Sequence, residues 1–336
     1  MLVFGGVCVA CLIVIGVVAL NAQRRIAASP TQASADAPAP PDVIASVASR
    51  PHLVFLHSPS GDQYRQVAIV PLDAPDGPRY LTPLQCQRVY FQAGQGLCLG
   101  NNFVGGKASA YNAYSFDGQF NVGATYDEAG APIRVRLSSD GKLGAMTVFV
   151  TGHSYSDFAF STLTNLIDTT SGQILTDMEK FNVERDGAPF QSVDFNFWGV
   201  TFARDNDRFY ATLGTGGKTY LIEGQISTRN ARVLMENVEC PSLSPDNTRI
   251  AFKQRINSDT RQWQLMVLDL SSMTESPVPG EARSIDDQVE WLDDSHILYA
   301  TQEEGSLATD IWEASLDSSE QPHIFVHQAL SPAVVR

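Results

Sequence analysis

The chain has 336 residues, with 23 Lys and Arg against 37 Asp and Glu, so its formal net charge is −14. This balance argues against a nucleic-acid partner, because neutralising phosphates requires clustered Lys and Arg side chains. Hydrophobic residues make up 43% of the chain. That fraction excludes disorder of the whole chain, and the length allows one large all-β domain or two ordinary ones.

Residues 1–22 contain a run of twenty residues without a charge. Such a run predicts either a hydrophobic helix that anchors the chain in a membrane or the core of a cleaved signal peptide. Arg24 and Arg25 follow the run, and the positive-inside rule would then hold the body in the cytoplasm. A native start upstream of Met1 and the cysteines farther along favour export. We therefore expect a body that faces outward from the cell membrane, or is secreted.

Residues 23–49 form a segment rich in Pro, Ala and Ser, with no hydrophobic pattern. Such a composition buries too little apolar surface to offset the entropy of ordering the chain. The segment predicts a disordered linker that holds the folded body away from a membrane surface. The folded body then comprises residues 50–336.

Cys86 and Cys98 lie 12 residues apart, in two apolar runs that a Gly-rich turn joins. Neighbouring strands would bring the two thiols within bridging distance in an oxidising compartment. The alternative is a pair of buried free thiols, which are common in protein cores. We predict a disulfide.

From Arg50 onward the chain offers short runs rich in Val, Ile, Phe and Tyr, separated by Gly, Asp, Asn, Ser and Pro. This pattern is typical of all-β folds. Four segments share one plan, in which an apolar strand end, a turn built on Asp and a second strand follow each other. Asp suits such a turn because its carboxylate accepts a backbone N–H two residues later. The turn aspartates are Asp140, Asp205, Asp246 and Asp294.

The repeat indicates a propeller. Residues 51–336 number 286, and six units would have about 48 residues each, close to the length of a propeller blade. We therefore predict an all-β, six-bladed β-propeller with four strands in each blade. The blades begin near His52, Gln87, Ile133, Asp194, Glu239 and Gln288.

The segment from Ser244 to Phe252, SPDNTRIAF, resembles the repeat of TolB-type β-propellers, in which Ser-Pro-Asp-Gly precedes an Ile-Ala-Phe strand. The segments GHSYSDF, NFWGVTFARD, ECPSLSPD and DDQVEWLDD resemble a group of exported bacterial proteins known as TolB-like translocation proteins. The resemblance covers residues 50–336. It implies a TolB-like propeller and a role in the transport or assembly of the bacterial envelope.

Two motifs resemble catalytic signatures without fulfilling them. Residues 214–219 end like a phosphate-binding loop, but Thr212 occupies the place of the first Gly and the loop joins two strands. Residues 152–156 approach a nucleophile elbow, but the final Gly is missing. Both are better interpreted as turns. His153 remains a candidate for binding a partner, with a hydrogen-bonded loop histidine as the alternative.

The strand before each turn alternates between apolar and more polar positions. In the resembled family this strand is the innermost one of its blade. Four positions before the turn the chain has Arg136, Thr201, Ser242 and Glu290. Farther back, acidic and amide side chains of adjacent blades are expected to meet near one mouth of the central channel, where they would raise each other's pKa or attract a cation. The residues are Asp194, Asn196, Glu239 and Asp287. The alternative is that they are solvated residues of the rim.

The function that these features favour is non-catalytic binding of an envelope protein or a glycan, with a membrane contact only through the N-terminal segment. The alternative is a divalent-metal-dependent hydrolase, similar to the six-bladed lactonases, whose channel carboxylates hold the metal. We expect no cofactor for the binding protein, and calcium is the ion left open for the enzyme. The sequence leaves the oligomeric state and the identity of the partner undecided.

Overall fold

Six sheets follow one another along the chain and surround a common axis. The computed structural model describes residues 38–59, 61–104, 107–150, 161–257, 261–302, 306, 308–317 and 320–336. The innermost strands contact each other in chain order, and the sixth contacts the first. The predicted six-bladed propeller is therefore confirmed. The predicted leader, most of the linker, and His153 lie outside the described residues.

Blades 1 to 3 have four strands each, named here from the axis outward. Blade 1 consists of β26 (Ala329–Val335), β1 (His52–His57), β2 (Gln66–Pro71) and β3 (Tyr80–Gln85). Blade 2 consists of β4 (Arg88–Gln92), β5 (Gln95–Val104), β6 (Lys107–Asp117) and β7 (Val122–Glu128). Blade 3 consists of β8 (Pro132–Leu137), β9 (Leu143–Phe149), β10 (Thr162–Asp168) and β11 (Gln173–Asp177).

Blade 4 has two additional strands. It consists of β14 (Asn196–Phe202), β15 (Arg208–Thr215), β16 (Lys218–Gln225), β17 (Asn230–Glu236), β12 (Asn182–Arg185) and β13 (Ala188–Phe190). Blade 5 consists of β18 (Glu239–Leu243), β19 (Arg249–Arg255), β20 (Trp263–Asp269) and β21 (Thr274–Pro277). Blade 6 consists of β22 (Glu290–Trp291), β23 (His296–Gln302), β24 (Thr309–Ser315) and β25 (His323–Val326). A single 3-10 turn (Met178–Lys180) precedes β12.

The last strand of the chain closes the ring. β26 pairs with β1 in antiparallel register and takes the innermost place of blade 1. His52 therefore begins the second strand of that blade, whereas the repeat placed it at the start of the first. The other five blades begin within two residues of the predicted positions. The closure uses a strand that is remote in sequence, and blade 1 lacks the Asp turn that blades 3 to 6 offered as a marker.

A helix, α1 (Pro41–Ala48), lies inside the segment predicted as a disordered linker. Pro at the first helical position fits the fixed backbone angle of a helix start. Ile44 and Val47, three residues apart on one helix face, are buried in the core of blades 1 and 2. Packing against the propeller therefore orders the end of this segment. Within the described part of the chain, α1 and the 3-10 turn are too short for a membrane span.

The turn aspartates act as predicted in three blades. Asp140, Asp205 and Asp246 each accept the backbone N–H two residues later, at 3.1, 3.0 and 3.0 Å. The residue after each of them has a positive φ, and Gly and Asn are the residue types that adopt this conformation most readily. These residues are Gly141 (φ 74°), Asn206 (φ 57°) and Asn247 (φ 64°).

The turn of blade 6 differs from the prediction. Asp293, and not Asp294, accepts hydrogen bonds from the backbone N–H groups of Ser295 and His296, at 2.7 and 2.8 Å. The reason is that this turn is one residue shorter than the turn of blade 5. Trp291 pairs with Ile297 in blade 6, whereas Leu243 pairs with Ile250 in blade 5. Asp294 instead accepts the backbone N–H of Asp246 in blade 5, at 3.1 Å.

Hydrogen bonds also join the turns of other neighbouring blades. Asn206 Nδ2 of blade 4 donates to Asp140 of blade 3 at 2.7 Å, and Arg204 N–H of blade 4 donates to Asn247 of blade 5 at 3.0 Å. Arg336, after β26, donates to the carbonyl of Leu292 in blade 6. These bonds link blades 3, 4, 5, 6 and 1 in a collar along one mouth of the channel.

Cys86 and Cys98 form a disulfide that joins the approach to β4 with the adjacent strand β5. Both cysteines are buried in the core of blades 1 and 2. The third described cysteine, Cys240, is a buried free thiol. The bond closes a short loop around the β4–β5 hairpin.

Replacement of both bridged cysteines (Cys86→Ser with Cys98→Ser) is expected to lower the free energy of unfolding by about 3 kcal/mol. Without the bond, the unfolded chain regains the conformational entropy that closing a loop of this length removes. Urea denaturation of the two proteins, each with and without a reductant, measures the difference. Reductant should destabilise only the parent protein. An equal response of both proteins to reductant would contradict the assignment.

Arg79 contributes to ring closure from the approach to β3. Its guanidinium donates to the carbonyls of His327 and Gln328, just before β26, at 2.7 and 3.1 Å. It also donates to Nδ1 of the buried His57 at 2.9 Å. Burial and the neighbouring charge of Arg79 lower the pKa of His57 to about 4. His57 is therefore a neutral acceptor in the folded protein at neutral pH.

Because the pKa of His57 is lower in the folded than in the unfolded protein, its stabilising effect is present above pH 6.5 and is lost as the pH falls toward 4. We expect His57→Gln, whose amide oxygen still accepts from Arg79, to flatten the decline of stability between these pH values. Thermal melts across that range test this. Parallel declines in both proteins would contradict it.

Candidate functional site

In several blades, the innermost strand places one polar side chain on the channel axis. Arg136 and Glu290, from opposite blades, form an ion pair whose side chains are 8% and 7% exposed. Both residues belong to the column four positions before the turn, as does Ser242 of blade 5. The alternation in the sequence thus correctly predicted which side of these strands is polar.

Further hydrogen bonds surround this pair. Arg136 donates through Nη2 to Ser242 Oγ at 3.1 Å and to the Val289 carbonyl at 2.8 Å. Through Nη1 it donates to the Tyr90 hydroxyl at 3.0 Å. Glu290 accepts the Tyr90 hydroxyl at 3.1 Å and the backbone N–H of Val334 at 3.1 Å. We call Arg136, Glu290, Tyr90 and Ser242 the axial plug; its contacts involve every blade except the fourth.

The two charges of the plug, on Arg136 and Glu290, are paired with each other. Burial by itself would disfavour the charged guanidinium, but attraction to Tyr90 and Glu290 holds the pKa of Arg136 above its ordinary value. Burial raises the pKa of Tyr90 above its ordinary value, so this residue remains a neutral hydroxyl. Glu290 accepts hydrogen bonds from Arg136, Tyr90 and the Val334 N–H.

A cavity of about 340 Å³ opens on the turn side of the plug, inside the collar. We call it the funnel. Serine, asparagine, glutamine and arginine side chains provide most of its polar groups, and Phe202 and Trp291 its aromatic wall. The polar lining residues are Gln92, Arg136, Ser139, Thr201, Arg204, Ser242, Ser244, Asn247, Glu290 and Arg336.

A much smaller cavity, of about 30 Å³, lies on the other side of the plug. Arg88, Arg134, Arg136, Asp287 and Gln288 are among its lining residues. This volume accommodates a water molecule but no larger ligand. The plug therefore leaves the channel with one usable pocket, which is the funnel.

The acidic residues predicted to meet near one mouth have separate partners. Glu239 accepts from Arg255 at 2.9 Å, and its carboxylate lies 4.0 Å from the Lys253 ammonium. Asp287 accepts the backbone N–H of Ala300 at 2.9 Å. Lys253 also contacts Asp286, the neighbour of the predicted residue. This side of the channel is thus a network of paired charges.

Asp194 and Asn196 connect loops. Asp194 accepts the Thr215 hydroxyl at 2.5 Å and the Gly216 N–H at 2.8 Å. Hydrogen bonds from Ser192 and Thr215 lower the pKa of Asp194 to about 2. Asn196 accepts the backbone N–H of Thr162 in blade 3 at 2.8 Å. The loop that resembles a phosphate-binding site is the β15–β16 hairpin, whose N–H group already binds a carboxylate.

No group of three or more His, Cys, Asp or Glu side chains suited to a metal ion occurs among the residues that the structure describes. The carboxylates of Asp194, Glu239, Asp287 and Glu290 are bound by backbone N–H groups, hydroxyls or arginine side chains. The chemistry that the funnel offers is hydrogen bonding and charge attraction by side chains on a rigid wall.

The fold agrees with known structures. TolB from Acinetobacter baumannii superposes with a TM-score of 0.58 at 16% sequence identity, over 86% of this chain and 68% of that chain. The fold is that of a TolB-like six-bladed propeller. A puromycin-hydrolyzing peptidase from Mycobacterium tuberculosis matches with a TM-score of 0.48 at 10% identity, over 83% of this chain and 45% of that chain. The sequence matches no model of a known family and no curated protein.

Sequence reasoning missed Tyr90 and Arg136 as site residues. Arg136 stood in the polar column, but an arginine on a strand gave no reason to expect a partner across the axis. Tyr90 alternates with Arg88 and Gln92 along β4, which is a usable signal. Blade 2 lacks a turn Asp, however, so its register against the other blades was unknown.

We expect Glu290→Ala to lower the free energy of unfolding by about 3–5 kcal/mol, because it leaves the Arg136 charge buried without its partner. The double variant with Arg136→Ala should lose less than the sum of the two single variants, since it removes both charges. Urea denaturation of the four proteins measures the coupling. Additive losses would contradict a plug held by this pair.

Proposed function

We propose that the protein is a non-catalytic binding module that holds a partner at the funnel. The observation that carries this proposal is the plug, which blocks the channel and leaves it open to a ligand at the collar. At about 340 Å³, the funnel is at the lower end of the range for ligand pockets, and it suits a protruding segment rather than a large flat surface. The linked turns give it a preorganised wall, which lowers the entropy cost of binding.

Absence of catalysis is inferred from the lining. The described residues that line the funnel include no His, Cys or Lys, and their single carboxylate is Glu290. That carboxylate accepts hydrogen bonds from Arg136, Tyr90 and the Val334 N–H. A general acid or base must exchange a proton with the substrate, and Glu290 has no free oxygen pointing to one. These observations favour the binding protein over the metal-dependent hydrolase.

We further propose that the body acts outside the cytoplasm, in the bacterial envelope, tethered by the apolar leader or released after its cleavage. The buried disulfide between Cys86 and Cys98 supports an oxidising compartment. The apolar run in residues 1–22 supplies a route of export. The TolB-like fold is compatible with a role in envelope transport or assembly, with a protein or a glycan as partner.

A photo-crosslinking amino acid at Ser139, an exposed residue of the funnel, tests the proposal in intact cells that make the full chain. We expect a discrete crosslinked partner from this position and none from Thr228, which lies at an exposed turn of blade 4 outside the funnel. Gln92→Trp, which fills the funnel from β4, should abolish the crosslink. Equal crosslinking at Ser139 and Thr228, or a Ser139 crosslink that survives the filled funnel, would contradict the proposal.

A further inference from the structure

The funnel has a charge opposite to that of the whole chain. Its described lining carries three arginines, Arg136, Arg204 and Arg336, and one carboxylate, Glu290. The side chains of this lining thus carry two positive charges in excess, while the chain has a formal net charge of −14. A concave site with low-dielectric walls concentrates the field of its own charges, so the local sign is what an entering group meets.

Arg136 and Glu290 neutralise each other in the plug, so the excess positive charge comes from the other two arginines. Arg204 is exposed at the collar, and its guanidinium has no ion pair or hydrogen bond within the described residues. Arg336 is also exposed and donates to the Leu292 carbonyl. A guanidinium has five N–H donors, so most of those at the rim remain available to a ligand.

The turn aspartates around the collar do not cancel this charge inside the funnel. Basic side chains outside the funnel balance them: Asp140 pairs with Lys142 at 3.1 Å and Asp205 with Arg208 at 3.7 Å. Although partial burial acts in the opposite direction, hydrogen bonds from Ser244 and Thr248 and the charge of Arg249 lower the pKa of Asp246. None of these carboxylates belongs to the funnel lining.

The lining favours a peptide over a glycan as the source of the anionic group. A sugar ring presents an apolar face that an exposed aromatic ring can cover, and the aromatic residues here are closed off. Tyr90, Phe202 and Trp291 are 9%, 8% and 5% exposed. The Trp291 indole N–H is already used by the Ser242 carbonyl, at 2.9 Å. The accessible groups are guanidinium, hydroxyl and amide groups, which recognise carboxylates and main-chain amides.

We propose that the funnel receives an acidic segment of a protein partner, whose Asp or Glu carboxylates are bound by Arg204 and Arg336. This inference rests on the proposed binding function and specifies its ligand. The accessible side chains of Ser139 and Gln92 on the wall supply hydrogen bonds to the peptide main chain. The plug forms the floor and limits how deeply the segment enters.

Fluorescence anisotropy with a short labelled peptide of alternating Asp and Glu tests the inference on the disulfide-bonded protein. We expect saturable binding that weakens with salt, and no comparable binding of the Asn and Gln isostere or of an oligogalacturonate. Arg204→Ala with Arg336→Ala should weaken binding about tenfold or more, the equivalent of two charge-assisted contacts at a rim. Arg232→Ala removes the same charge from the outer strand β17 and should leave binding unchanged.

Three outcomes would overturn the inference: equal binding of the neutral isostere, preference for the oligogalacturonate, or equal effects of the double variant and Arg232→Ala. Crosslinking from Ser139 in cells separates this failure from failure of the proposed function. If Gln92→Trp abolishes the crosslink but Arg204→Ala with Arg336→Ala does not weaken it, the binding function stands and the acidic ligand is refuted. If the crosslink persists in Gln92→Trp, both proposals are refuted.

Discussion

A buried ion pair between Arg136 and Glu290 spans the axis of the propeller, and the usable shape of the channel depends on it. Taking two charges out of water is costly, and the cost is offset only when hydrogen bonds complete both partners. Tyr90, Ser242 and two backbone groups provide most of these hydrogen bonds, and the Nε of Arg136 is left without one. These groups come from strands that are distant in sequence, so the network exists only when the ring is closed.

Ring closure and the plug therefore support each other. β26 brings the Val334 N–H to Glu290, and the same strand pairs with β1 to seal blade 1. Arg79 adds hydrogen bonds to the chain just before β26. In a closed ring with a blocked axis the funnel is the open end of the channel, and the collar of linked turns determines its rim. Rigidity at the rim is a direct consequence of the hydrogen bonds between neighbouring blades.

The acidic composition of the chain is a poor guide to its binding chemistry. Most of the carboxylates singled out in the sequence bind groups of their own fold, as Asp194 does with Gly216 and Glu239 with Arg255. Asp and Asn are frequent in turns because they satisfy backbone N–H groups, and a propeller has many turns. The few arginines at the rim have fewer partners, and the local charge of the funnel follows from them rather than from the total.

The sequence by itself determined the number of blades, the positions of most blade starts and the polar side of the inner strands. Strand alternation and the Asp turns are local signals, because each is set by neighbouring residues along the chain. Only the tertiary structure decided that β26 belongs to blade 1, that α1 packs on the propeller and that Arg136 meets Glu290. Those contacts join residues far apart in sequence, and their geometry depends on how the blades close around the axis. Only the structure showed that Asp194, Glu239 and Asp287 each have hydrogen-bond partners of their own, because those partners lie on other strands or loops.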